Sequence, residues 1–144
     1  MKHLLCVVVC LLAFARIASA QTRLEMRLAE TQPGAGLTEA TIPASGQKIY
    51  LHQSSVITNA DVIEAHVEND VNGHPSVAIR VTPDAAVRLE NATREHIGKP
   101  LAVLVNGTVV SAPTLRGVLR QDAAIVGTFT EAEAGKIAAG LTGR

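Results

Sequence analysis

Residues 101–111 read LAVLVNGTVVS, two apolar runs joined by Asn106-Gly107. A two-residue hairpin turn of type I′ needs positive φ at both central positions, and Asn-Gly is the pair that tolerates this best. The stretch is therefore committed to a tight antiparallel hairpin. Pro113 closes it, because proline has no N–H to give to a ladder. A second hairpin precedes it. Val62–Glu68 (VIEAHVE) alternates, with Ile63, Ala65 and Val67 expected inward, and Ser76–Val81 (SVAIRV) matches it with Val77, Ile79 and Val81. Asn69–His74 supplies the turn residues between them.

Around these hairpins the remaining elements are legible from period and punctuation. Residues 22–28 (TRLEMRL) place Leu24, Met26 and Leu28 on one face of a half-buried strand. Thr31–Gly36 is a loop by its proline and glycines, and residues 37–46 show no clear period and read as irregular. Gln47–His52 is a short strand, and Thr58–Asp61 a turn or single helical turn. Thr82-Pro83-Asp84 starts a helix, with a capping hydroxyl, a proline at the first helical position and an acid at the positive end of the dipole. Ala86, Leu89, Thr93 and Ile97 follow at helical spacing, and Gly98 is the stop. Ala123–Phe129 reads as a strand. Thr130–Glu133 is a capping box ahead of a helix presenting Ala134, Ile137, Ala138 and Leu141. The order β-β-β-β-α-β-β-β-α, with hairpins in place of repeated crossovers, predicts an α+β fold: a largely antiparallel sheet with two main helices on one face.

The first twenty residues have a different purpose. Lys2 and His3, the apolar run Leu4–Phe14 and the small residues Ala18-Ser19-Ala20 form the three parts of a secretory signal peptide, with cleavage expected after Ala20. The apolar run is shorter than the ~20 residues a membrane span needs. Residues 21–144 are then expected as a single domain with no membrane span. Cys6 and Cys10 both lie in the leader, so disulfides, thiol chemistry and cysteine metal sites are excluded from the mature chain. Losing Lys2 and Arg16 takes the balance of 13 basic and 13 acidic residues to a net charge of about −2 with histidine neutral. Such a chain has no electrostatic reason to seek nucleic acid, and with Tyr50 and Phe129 its remaining aromatics, no platform on which to stack bases.

No catalytic pattern emerges. His52, His66, His74 and His96 form no H-x-H or H-x-x-x-H pair. Glu64, His66 and Glu68 share one strand face and make the best local cluster for a small metal enzyme. Arg80 is expected on the same face next door, which favours cross-strand ion pairs over a metal. Ser111 lacks the G-x-S-x-G elbow of a hydrolase, and Gly34-x-Gly36 lacks the crossover unit of a dinucleotide fingerprint. No metal or other cofactor is expected, and a binding module is favoured over an enzyme.

Several stretches together resemble a known family. HIGKPLAVLVNGTVVSAP (96–113) is similar to the return strands of the first large periplasmic domain of SecD, an accessory subunit of the Sec translocon. TRLEMRL (22–28), KIYLHQSSVITNADVIEAHV (48–67), VAIRVTPDAAVRLENAT (77–93) and AAIVGTFTEAEAGKIAAGL (123–141) resemble, in order, the strand leading into the head subdomain, its early strand and turn, its strand-to-helix step and its closing strand and helix.

The resemblance implies a periplasmic, non-enzymatic module that binds extended or unfolded polypeptide in protein export, with Sec translocon components as further partners. The alternative it leaves open is an assembly or regulatory partner docking onto folded Sec or other envelope proteins. An antiparallel sheet accepts an extended segment at an open edge, and the strand around Ile49, Tyr50 and Leu51 is the edge expected to do so.

Overall fold

The computed structural model describes residues 21–142; the expected leader, residues 1–20, lies outside them. The chain runs β1 (Leu24–Glu30), β2 (Thr38–Thr41), β3 (Lys48–Leu51), β4 (Ile57–Thr58), a 3-10 turn (Asn59–Asp61), β5 (Val62–Asn69), β6 (Pro75–Val81), α1 (Pro83–Arg94), β7 (Leu101–Val105), β8 (Thr108–Ser111), β9 (Asp122–Ile125) and α2 (Glu131–Thr142). Every strand pair is antiparallel, and with the two helices this is the expected α+β fold. The pairing divides between two sheets. Six strands follow the order β2-β3-β1-β7-β8 with β4 also on β1, and three follow β5-β6-β9.

The continuous apolar run of β7 is explained by its place. It pairs with β1 on one side and β8 on the other, and both of its faces are covered. Leu101 and Val103 join a main core with Leu24, Met26 and Ile57 from the same sheet. Ala102 and Leu104, of opposite parity, join a second cluster with Ala29, Ile42, Ile49, Leu51 and Val109. The main core also takes Val77, Ile79, Val81 and Ile125 from the small sheet, Ala85 and Leu89 from α1, and Ala134, Ile137, Ala138 and Leu141 from α2. A fully buried side chain such as Leu24, Ile57 or Leu89 contributes about 1.5–3 kcal/mol. Both sheets and both helices therefore meet on one core, which makes the assembly cooperative.

The helix ends behave as their sequences dictate. Thr82 Oγ1 accepts from the Ala85 N–H at 3.3 Å, with Pro83 at the first helical position. In the capping box of α2, the Thr130 N–H donates to the Glu133 carboxylate at 2.8 Å and the Glu133 N–H to Thr130 Oγ1 at 3.2 Å. Thr93 is fully buried; its hydroxyl donates to the Leu89 carbonyl and accepts the Leu119 N–H at 3.0 Å. That one hydroxyl thus ties the loop after β8 to α1.

Four expectations differ in detail. β2 falls in the segment read as irregular; only Ala40 of its four residues is part-buried, so no alternation shows. Ile63 is 47% exposed rather than inward. The register changes between Val62 and Glu64, which makes Ile63 the extra residue of a β-bulge and leaves Val62, Ala65 and Val67 as the inward set. Helix α1 stops at Arg94, three residues before Ile97, which is consequently 49% exposed. Finally, β9 ends at Ile125, and Thr128 and Phe129 lie outside the ladder and line part of a groove.

Candidate functional site

An extended ligand needs an unpaired strand, and the topology decides which strands qualify. β3 does not. It pairs with β2 over Lys48–Thr41 to Leu51–Thr38 and with β1 at Leu51–Ala29 and Tyr50–Glu30. Ile49 and Leu51 are buried in the second core cluster and Tyr50 is half-buried. The edge expected at Ile49, Tyr50 and Leu51 is thus closed on both sides, because the unread β2 covers it. The strands that end the sheets are β2, β8, β5 and β9, with the two-residue β4 also paired on one side alone.

Edge strand β8 borders a groove of about 400 Å³. Thr108, Val109 and Val110 form one wall, the turn residues Pro43 and Ala44 another, and Phe129 with Lys136 and Ile137 of α2 the far side. The register shift between Val103 and Leu104 leaves Val110 as an extra residue on β8, a bulge that re-aims its side chain. Phe129 is held in place twice over. It immediately precedes the capping box, the position of a hydrophobic staple, and packs against the main core cluster that includes Ala134. Its ring also folds back over Gly127, where an added Cβ would meet Cζ at 2.8 Å. Glu133 lies on the same rim with its carboxyl held below the usual range, chiefly by the Thr130 N–H. The result is a largely apolar trough with a fixed aromatic wall beside a free strand edge.

Edge strand β5 is built differently. Glu64, His66 and Glu68 occupy its outer face as expected, and so do the cross-strand ion pairs. Glu64 faces Arg80 at 3.5 Å, and Arg80 reaches Asp122 of β9 at 2.8 Å. Arg80 is one of the groups lining that face. Its guanidinium supplies positive charge to Glu64 and Asp122, while His66 lies 3.8 Å from Glu68.

A different group of metal-ligating side chains does converge among the described residues: Glu30, His52 and His96. No sequence spacing links them, since they come from the end of β1, the residue after β3 and the turn after α1.

Comparison with known proteins places this geometry. Residues 35–143 match the family described as SecDF, P1 head subdomain. The chain belongs to that family. Among relatives, the SecDF protein translocase subunit of Thermus thermophilus is 36% identical over 84 residues, 58% of this chain and 11% of the relative. The SecD subunit of Rhodobacter capsulatus is 33% identical over 109 residues, 74% of this chain and 20% of the relative. The chain thus spans about a tenth to a fifth of the length of these curated relatives. A solved structure of SecDF, a membrane component that enhances protein export, superposes with a TM-score of 0.67 at 25% identity, covering 85% of this chain and 63% of that one. SecDF in a super-membrane-facing form gives 0.68 at 27% identity over 85% of this chain and 19% of the other. No helix among the described residues of this SecDF-head chain is long and apolar enough to cross a membrane.

Proposed function

We propose that this chain is a periplasmic SecDF-head module that holds extended or unfolded polypeptide during protein export, by binding and without catalysis. In this reading residues 1–20 are a cleaved leader and residues 21–144 form one head domain. The observation that carries this reading is the apolar groove beside the free edge of β8. Strand addition lets main-chain hydrogen bonds fix an incoming segment in register, while pockets beside the edge take alternate side chains. Main-chain pairing is indifferent to sequence, and an apolar trough discriminates only coarsely, so the combination suits a site that must accept many unfolded chains. Tyr50, whose strand is paired on both sides, contributes to this reading only as a surface side chain.

The test is the affinity of a labelled unfolded secretory polypeptide, followed by fluorescence anisotropy, for the native chain and for Phe129→Ala. Removing a rigid aromatic anchor from the centre of a contact commonly weakens binding by about tenfold or more. Saturable binding that weakens by this much is expected. Equal affinity of the two proteins would remove the groove from the proposal.

A further inference from the structure

We infer that Glu30, His52 and His96 form a zinc-binding site with one open coordination position. The nitrogen and carboxylate ligand atoms of the three side chains all lie within 4.8 Å of one another. His52 Nε2 and Glu30 Oε1 are already 3.0 Å apart. In a tetrahedral site with zinc–ligand bonds of 2.0–2.1 Å, neighbouring ligand atoms stand roughly 3.3 Å apart, so this pair has the required spacing. The third ligand has to close by about 1.5 Å at most, which side-chain torsions provide.

The tautomer of His96 supports the assignment. Its Nδ1 lies 3.0 Å from the Ala92 carbonyl oxygen. A carbonyl can only accept, so Nδ1 carries the hydrogen, and in the neutral ring Nε2 is left with a free lone pair. A backbone carbonyl receiving the far N–H of a ligating histidine is the usual outer-shell arrangement of protein zinc sites, where it fixes ring orientation and raises basicity. The His52 and His96 rings meet edge to face, with centroids 5.6 Å apart and an interplanar angle of 84°.

The backbone beneath each ligand is pinned as well. The His52 N–H donates to the Leu28 carbonyl at 2.9 Å, the His96 N–H to Thr93 at 3.1 Å, and Glu30 is paired with Tyr50 in the ladder. Two imidazoles and one carboxylate, without sulfur, suit zinc among the available divalent ions, and three protein ligands leave the fourth position for water or a donor from a partner.

Lys99 sets the strength of the site. Its ammonium lies 3.1 Å from the Glu30 carboxylate and is half exposed on its own turn. It contacts both Glu30 oxygens, including the Oε1 that faces His52, so zinc has to displace this ammonium from Oε1 and binds more weakly for it. Zinc would tie together the end of β1, the β3–β4 connection and the turn after α1, which the Glu30–His52 and Glu30–Lys99 contacts already link.

The experiment is a titration of the full chain, purified with chelator, with zinc chloride alone. It is followed by calorimetry, by histidine ring resonances in NMR and by Tm. One zinc per chain is expected at this site, with His52 and His96 ring signals shifting together. Zinc at about 100 times Kd should raise Tm measurably, since it binds only the folded arrangement. His96→Gln and His52→Gln should each weaken binding at least tenfold while keeping the native circular dichroism, and Lys99→Met should tighten it several-fold. His66→Gln, on the far β5 face, should leave it unchanged. Absence of saturable binding up to millimolar zinc, or binding that survives His96→Gln undiminished, would overturn the assignment.

Discussion

Two strand edges of this molecule carry opposite provisions. β5 is the longer, eight residues, and carries Glu64 and Glu68 on its outer face, a bulge at Ile63 and a ladder of ion pairs through Arg80 to Asp122. Charges and bulges are the devices by which natural sheets keep edges from pairing with other chains. β8 has only four residues and is itself bulged at Val110, yet none of those four is charged and an apolar groove lies alongside. The longer edge is thus the guarded one. What equips an edge to receive polypeptide here is the surface beside it, which supplies side-chain pockets, and the length of free backbone matters less.

The contrast breaks most completely if β8 loses its turn. Asn106 and Gly107 have φ of +51° and +83°. A Cβ at Gly107 meets nothing within 4 Å, so the cost of Gly107→Val is conformational, about 1–2 kcal/mol for an L residue in the left-handed region. Urea unfolding should show that loss, with polypeptide affinity falling alongside it. Wild-type stability in the variant would mean the turn does not hold the edge.

The guard on β5 can be lifted at smaller cost. Glu64→Thr with Glu68→Thr removes the exposed Glu64–Arg80 pair, and exposed pairs contribute about 0–1 kcal/mol. Stability should change little, while concentration-dependent dimers should appear in sedimentation. A strictly monomeric double variant would show that the bulge alone protects β5.

Smaller still is an acid effect on the groove wall. The folded Glu133 carboxyl is lowered by the Thr130 N–H, so its contribution is complete above the unfolded value of about 4.3 and is lost as pH falls through the folded one. The Thr130 amide resonance should titrate in that acid range, loosening the cap that positions Phe129. An amide shift that stays flat down to the acid limit of folding would separate the cap from the groove.

Most of the scaffold was legible because it rests on local rules. Asn106-Gly107, Thr82-Pro83 and Thr130–Glu133 each specify a turn or cap within four residues, and the spacing of Ala134, Ile137, Ala138 and Leu141 marks the buried stripe of α2. The bulge at Ile63 left no such trace, since VIEAHVE alternates on paper whether or not one residue is skipped. β2 hid because a polar edge strand has no period, and missing it put an open edge at Ile49–Leu51 where none exists. The groove joins Pro43, Val109, Phe129 and Ile137, and the zinc site joins Glu30, His52 and His96. Both are products of strand order, which no local pattern encodes.

The most direct measurement is an NMR titration of the isotopically labelled chain with an unfolded secretory polypeptide. Saturable shifts confined to Thr108–Ser111, Phe129 and the facing turn of α2, with β5 unmoved, are the result expected of an apolar edge that holds extended chain. Shifts centred on the Glu64–Glu68 edge, or none up to millimolar polypeptide, would contradict it.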